Sequence, residues 1–296
     1  MKSLLLQKKP GNCKMKKYQE YLGLGIAGNF ALHLAQAGEL EDFKNIITED
    51  EAAPKGMFPF YLPCKKTTDT ARPKETLFIY PLSSDKIALP TEDVNVQAEP
   101  EVGLICSLNY KEGKLSNIAP KFFAAYNDCS IRIGGAEKIS DKKNWGKDSK
   151  GIASKLLEID KFAPGGVMDD FSICSFLRRD NQLHAYGENV ELSGYSYFYD
   201  KLTEWIQNQI NKQEDFGPLE DIKSYIATCN YPEYAIISIG ATRYTPYGET
   251  TFLQENDEVF VVVYNHKSYS LDDVILTLQN KEYNKENMSI LAQKVH

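Results

Sequence analysis

Histidine and tryptophan are scarce in this 296-residue chain, with four and two copies, and its six cysteines form no Cys-x-x-Cys pair. Few histidines speak against a histidine-rich metal site, and the unpaired cysteines against a zinc ribbon. Cys13, Cys64, Cys106, Cys129, Cys174 and Cys229 are scattered, several of them inside apolar runs. That is the pattern of reduced, buried thiols in a cytosolic protein rather than a disulfide frame. Basic charge is also short: 34 Lys and Arg against 41 Asp and Glu leave a net charge of -7. With no basic stripe interleaved with aromatics, nucleic acid is excluded as a partner. The longest apolar runs, around Ala235–Ile239 and Val259–Tyr264, are far too short to cross a bilayer. Met1–Gly11 holds three consecutive leucines before Gln7-Lys8-Lys9, without the apolar region or small-residue cleavage site of a signal peptide. A soluble, cytoplasmic protein with no membrane partner is expected.

What is present suits a globular chain. Hydrophobic residues make up 42% and charged residues 25%, so the sequence can bury a core and is not biased to disorder. Aromatics at 11%, with 18 tyrosines, suggest dense packing and sheet surfaces. Residues 1–20 are polar and lysine-rich and read as an N-terminal extension; 21–296 read as one domain. Asn29 suits an N-cap and Gly38 a C-terminal stop, predicting a short helix between them. Strands are predicted at Phe58–Leu62, Leu77–Tyr80, Val102–Leu108, Phe122–Tyr126, Val167–Phe176, Leu183–Tyr186, Ala235–Ile239 and Glu258–Tyr264. Leu202, Trp205, Ile206 and Ile210 recur at helical spacing within Tyr199–Gln213, and Pro218 opens a second helix to about Cys229. Many strands and few helices, with no alternating β-α-β run, predict a β-rich α+β fold rather than a doubly wound sheet.

The chemistry concentrates in carboxylates. Glu99 and Glu101 stand two apart before an apolar run, so an extended backbone points both to one face. Like charges held side by side repel unless a cation or a proton intervenes. Asn127-Asp128 ends another predicted strand; if the two strands are neighbours, three carboxylates converge, the oxygen shell a hard cation prefers. A solvated strand end with Asp128 starting a turn fits the same spacing.

Four ordered segments resemble the fumarylacetoacetase (fumarylacetoacetate hydrolase) superfamily. Leu24-Gly-Ile-Ala-Gly-Asn29-Phe-Ala-Leu-His33 is similar to its "vGiGrNYxxH" start, and Glu99-Pro-Glu101 to its "ExE" segment. Tyr126-Asn-Asp128-Cys-Ser130-Ile-Arg132 resembles "GYxxxNDxSxR", and Trp145-Gly-Lys147-Asp-Ser149 with Phe162-Ala-Pro-Gly165 resembles "GKSFDxxxPxGP". Tyr186-Gly-Glu188 and Ile239-Gly240-Ala-Thr242 are similar to "NGE" and "TGTP". The resemblance spans roughly residues 21–265 and implies a mixed β-sandwich roll with a few short helices, usually paired as a homodimer. It implies Mg²⁺ (or Mn²⁺) on Glu99, Glu101 and Asp128, a small oxo- or dioxo-acid substrate, and a hydrolase, decarboxylase, hydratase or isomerase reaction. His33 would be the acid/base, with Gln36 beside it, and Lys147 the cation facing developing negative charge. Asn29 and Thr242 would touch substrate, Arg132 would clamp a structural carboxylate or bind the substrate anion, and Asn127 would orient a ligand from behind.

The sequence departs from that pattern in two places. Family hydrolases often carry a Glu three residues after the histidine; here it is Gln36, and an amide cannot accept a proton from water or imidazole. Glu39 lies on a different part of the helix face. The family's "FxKP" lysine is missing, because Phe60-Tyr-Leu-Pro63 has Leu62 there. These departures keep a non-enzymatic binding or assembly module open as the alternative. Gly23-Leu-Gly25-Ile-Ala-Gly28 also matches G-x-G-x-x-G, but the polar Lys14–Tyr21 precedes it where a dinucleotide site needs a buried strand.

Overall fold

Leu22, Leu24 and Ile26 alternate with Gly23, Gly25 and Ala27, the period of two that a strand satisfies. We describe the protein from a computed structural model; residues 18–31, 33–38, 40–46, 48, 50–66 and 72–296 are described. In it Leu22–Ala27 is strand β1, paired antiparallel with β2 (Gly56–Tyr61). The glycines leave one face of β1 bare, and aromatic rings of β2 fill it. A Cβ built on Gly23 would stand 2.4 Å from the Phe60 ring, and one on Gly25 2.2 Å from the Phe58 ring. The glycine motif that suggested a phosphate loop therefore serves close packing between two strands.

The remaining strands follow in order. They are β3 (Leu82–Ser83), β4 (Lys86–Ile87), β5 (Asn95–Gln97), β6 (Pro100–Lys111), β7 (Lys114–Asn127), β8 (Ser130–Arg132), β9 (Lys150–Ile152) and β10 (Leu157–Glu158). Then come β11 (Phe171–Arg179), β12 (Gln182–Glu191), β13 (Tyr234–Ser238), β14 (Glu258–Asn265) and β15 (Met288–Val295). One sheet runs β2-β1-β13-β6-β7-β9-β3 with β10 beside β7; a second runs β12-β11-β14-β15-β4; β5 and β8 form a small pair. β1 and β13 run parallel, whereas β6 lies antiparallel to both its neighbours, β13 and β7. β6 and β7 form a long hairpin turning at Glu112 and Gly113, both at positive φ (53° and 72°), the geometry a two-residue turn needs. Its open end brings Glu101 opposite Tyr126 and Pro100 opposite Asn127.

The two large sheets share one core. Phe123 of β7 meets Phe171 of β11 edge to face at 5.0 Å, and Val261, Val263 and Leu291 join the same buried cluster as Leu104. Ser289 of β15 stitches the layers, accepting from Ala125 N at 3.1 Å and donating to Lys155 O at 2.7 Å. The helices are few: α1 (His33–Gln36), α2 (Tyr199–Lys212), α3 (Ile222–Thr228), α4 (Pro246–Thr250) and α5 (Leu271–Gln279). α2 buries Leu202, Ile206 and Ile210, the stripe read from their spacing. No helix among the described residues is long and apolar enough to cross a membrane.

The strand-rich α+β architecture is as expected, with local corrections. Leu77–Tyr80 is no strand; Glu75–Phe78 forms a 3-10 turn there. The N-terminal helix shrinks to α1 because the Asn29 side chain is committed elsewhere and caps nothing, while Gly38 at φ +71° ends it as expected. The helix expected from Pro218 begins only after Asp221, whose side chain accepts from Ser224 N at 3.0 Å. Cys64 and Cys229 are not reduced thiols. Their Cα atoms lie 5.2 Å apart across 165 residues and a disulfide joins them, a proximity that sequence spacing cannot reveal. Cys106, Cys129 and Cys174 are buried free thiols as read. Most of the N-terminal extension, with Cys13 and Glu39, lies outside the described residues.

Gly25→Ala should destabilise the protein by about 1–3 kcal/mol, because the new methyl meets the Phe58 ring in a filled layer. Urea unfolding would show this, with Gly25→Ala/Phe58→Leu recovering part of the loss; an unchanged midpoint for Gly25→Ala contradicts this packing.

Candidate active site

Glu99 directly precedes β6, Glu101 is its second residue, and Asp128 directly follows β7, so strand pairing alone brings the three together. One oxygen from each lies within 4.8 Å of the others, and all three residues are buried, at 2%, 2% and 0% exposure. Such a group has the oxygen spacing to hold a divalent cation.

Nitrogen donors already surround these oxygens. Lys143 Nζ bridges Glu99 Oε2 at 2.6 Å and Asp128 Oδ2 at 2.7 Å. Lys150 Nζ lies 2.5 Å from Asp128 Oδ1 and 3.3 Å from Cys129 O. Arg132 Nη2 lies 2.8 Å from Glu99 Oε1, and the Gly240 N–H donates to Glu101 Oε2 at 2.9 Å. Three carboxyl groups thus face three basic groups. Burial opposes ionisation of Glu99, yet Lys143, Arg132 and His33 outweigh it and hold the carboxyl well below the usual range. Glu101 goes the other way: burial and the charge of Asp128 push it well above that range, against the pull of Lys143. Burial lowers the Lys150 ammonium, with Asp128 opposing.

The lysines have prepared seats. Lys143 Nζ lies 5.3 Å from the centre of the Phe58 ring and Lys150 Nζ 5.7 Å from that of Phe60, the rings that the β1 glycines admit. Lys143 follows a 3-10 turn, Ile139–Lys142, which is pinned at its other end. Lys138 Nζ donates to Gly217 O and Leu219 O at 2.9 and 2.8 Å and pairs with Asp215 at 2.6 Å. Ser140 hydrogen-bonds the buried Glu220, and Asp141 pairs with Arg72 and Lys74.

The residues expected at the site divide into several groups. Asn127 bonds to the backbone beside the first carboxylate: its Oδ1 accepts from Glu99 N at 3.1 Å, and its Nδ2 donates to Gln293 at 3.0 Å. His33 is buried, its ring 5.1 Å from that of Tyr244, and near enough to Glu99 to lower its pKa. Gln36 is spent on the Tyr244 backbone, accepting from its N–H at 2.9 Å and donating to its carbonyl at 3.1 Å. Arg132 holds Glu99, Gln97 and the Tyr244 hydroxyl together. Asn29 uses both ends of its amide on backbone, Tyr197 N and O and Ile239 O. It thereby fixes the turn at Gly240, where φ is +109° and an added Cβ would lie 3.0 Å from Asn29 Cβ. Thr242 is fully buried and donates to Pro100 O at 3.3 Å, a strand-end tie.

The placement expected for Lys147 is corrected. Its side chain is 82% exposed, with Asp148 3.9 Å away. From this segment it is Lys150, beside Lys143, that reaches Asp128, because Gly146 at φ +130° and Asp148 at φ 58° turn the chain before β9 begins. Sequence reading also missed Lys143, which lay in a lysine run that looked solvated; Tyr244, which the sequence left open between a pocket and a solvated loop, links His33, Gln36 and Arg132. Only contacts distant in sequence mark either residue.

Solved structures share this architecture. The chain resembles a 2-keto-3-deoxy-D-arabinonate dehydratase complexed with magnesium and 2,5-dioxopentanoate, at 14% identity, covering 93% of this chain and 72% of that one, with a TM-score of 0.50. It resembles a protein assigned to the fumarylacetoacetate hydrolase family from Yersinia pestis CO92, at 11% identity, 93% of each chain and a TM-score of 0.50. A 5-carboxymethyl-2-hydroxymuconate delta-isomerase from Mycobacterium smegmatis aligns at 14% identity over 93% of this chain and 78% of that one, with a TM-score of 0.50. The chain therefore has the fold that these proteins share. Within that fold the chain belongs to the family described as a family of unknown function (DUF5718), whose model matches residues 39–295. No curated protein matches the sequence.

Glu220, 1% exposed, has its pKa pushed up to about 7 by burial, against hydrogen bonds from Ser140 and Tyr225. Its folded pKa exceeds the unfolded value, so this group contributes stability below the unfolded pKa and loses it as pH rises to about 7. Glu220→Gln should remove that component, worth on the order of 3 kcal/mol at most. Urea unfolding at pH 5 and pH 8 should show the variant gaining on wild type at the higher pH; a pH-independent difference contradicts this assignment.

Proposed function

We propose that this protein is an enzyme acting on a small oxo- or dioxo-acid, with Glu99, Glu101, Asp128, Lys143, Lys150 and His33 as its reaction centre. The observation that carries the reading is the concentration of buried acids and bases where β6 and β7 end. Burying charge is costly, and structure alone seldom needs so many titratable groups at one point. Unsatisfied groups nearby add support. The hydroxyls of Tyr126 and Ser130 are buried without a hydrogen-bond partner, and Tyr126 lies close enough to Asp128 and Glu101 for their charges to raise its pKa. An ammonium has three N–H groups, and Lys150 places two of them, on Asp128 and on Cys129 O. The third is available to an anionic oxygen. Similarly folded proteins include a dehydratase and an isomerase, which makes this substrate class the natural candidate.

The chemistry we assign is proton transfer next to a carbonyl, as dehydration, isomerisation or decarboxylation require. Lys150 would face the oxygen that becomes negative as the enolate forms, and His33 would move the proton. Carbon–carbon hydrolysis is less well supported, because Gln36 has both amide atoms on the Tyr244 backbone and offers no carboxylate to activate water. By donor chemistry the three carboxyl groups suit Mg²⁺ or Mn²⁺, but in the described arrangement their oxygens are engaged by Lys143, Lys150, Arg132 and Gly240. The spacing of the three carboxyl groups suits such an ion, the neighbouring basic groups compete with it for the same oxygens, and no step is assigned to it. The near-complete burial of the acids favours the second reading, a binding or assembly module that retains the fold.

Oxalate, a planar mimic of an enolised oxo-acid, should raise the melting temperature of the wild type and not that of Lys150→Gln. Deuterium exchange from solvent into pyruvate or 2-oxobutyrate should be catalysed and fall by about 10²- to 10⁴-fold in His33→Asn. Neither ligand response nor exchange across an oxo-acid panel would leave the module reading standing.

A further inference from the structure

We infer that Lys143 is the resident cation of this acidic cluster: its ammonium does the charge-balancing that a shared divalent ion would do, and excludes such an ion while it is in place. Five of the six carboxylate oxygens have a nitrogen within 2.9 Å, three of them as hydrogen-bond acceptors and two, Glu99 Oε1 and Asp128 Oδ2, by charge pairing alone. Lys143 holds one oxygen of Glu99 and one of Asp128, Arg132 and Lys150 hold the other two, and Gly240 N–H holds Glu101 Oε2. A hard dication needs several of these oxygens at about 2.0–2.2 Å, which means expelling donors that sit at 2.5–2.9 Å. It would also stand beside two buried ammonium groups, whose repulsion a low-dielectric interior screens poorly.

A surface lysine that happened to swing into an acidic pocket would look different. Lys143 is 3% exposed, and its ammonium faces the Phe58 ring at 5.3 Å. That ring occupies its place because Gly25 carries no side chain. The turn before Lys143 is anchored through Lys138 to Asp215, Gly217 and Leu219. The sheet, the ring and the anchor each have the form that a permanent seat for one lysine requires. The positive charge is thus part of the chain and cannot be removed by a chelator.

The inference rests on the reading of this cluster as the working site, but its test reads metal uptake rather than turnover, so the two fail separately. Mn²⁺ titration followed by electron paramagnetic resonance, on the full chain after EDTA treatment, should show no saturable binding to the wild type. Lys143→Gln should gain a saturable site at least about tenfold tighter, because two carboxylates lose their bridging donor and are freed for the ion. Saturable uptake of one Mn²⁺ by the wild type would overturn the inference, as would a folded Lys143→Gln that binds no better. Should that variant not fold, the wild-type titration decides alone.

Discussion

A positive charge buried between Glu99 and Asp128 is the contact on which the rest of this arrangement depends. The strands bring carboxylates together that would repel in a low-dielectric interior, and Lys143 makes their proximity tolerable at 2.6 and 2.7 Å. Buried ion pairs are not strong stabilisers in themselves, because desolvation offsets most of the attraction. Their asymmetry matters more: removing one partner leaves an uncompensated charge and costs about 3–5 kcal/mol. The cluster is thus coupled, each acid having its titration set by a base from another part of the chain. Opposite shifts at Glu99 and Glu101, two residues apart, follow from that unequal supply of neighbours.

The acidic half of the site was legible in the sequence because local rules govern it. Glu99 and Glu101 share a face by strand periodicity, and hairpin pairing carries Asp128 to the same end. The basic half was not legible. Lys142, Lys143 and Lys147 look alike in a polar run, and only the fold reveals that Lys143 is buried while Lys147 points to solvent. The same limit explains the disulfide between Cys64 and Cys229, whose meeting depends on packing across 165 residues. Strand β1 was missed for a different reason. Its glycines were weighed only against a dinucleotide-loop pattern, whereas here they make room for rings on the neighbouring strand. β15 and α5 went unread, although α5 carries a capping box at Ser270 and Asp273.

Tyr244 shows how a residue outside any recognised segment can organise a site. Its backbone engages both atoms of the Gln36 amide, its ring lies against His33, and its hydroxyl links Arg132 to Ala98 O. Arg132 in turn reaches Glu99 and Gln97, and Gln97 ties to Gly248 O on α4. Through these bonds the short helix bearing the histidine and the strand end bearing the first carboxylate are held as one unit. Asn29 and Thr242, which sequence likeness would assign to substrate, and Gln36, which it would place beside the acid/base, all bond to backbone in that frame.

The two halves of the cluster also differ in what carries them. The acids stand at the ends of a hairpin stitched into the larger sheet, whereas Lys143 arrives on a turn fastened to the 215–220 segment. A change in the turn can therefore replace the base without disturbing the strands, and a change in the hairpin can do the reverse. Divergence in a scaffold so divided need not redesign the sheet: exchanging a few residues beside it is enough to alter what the carboxylates hold.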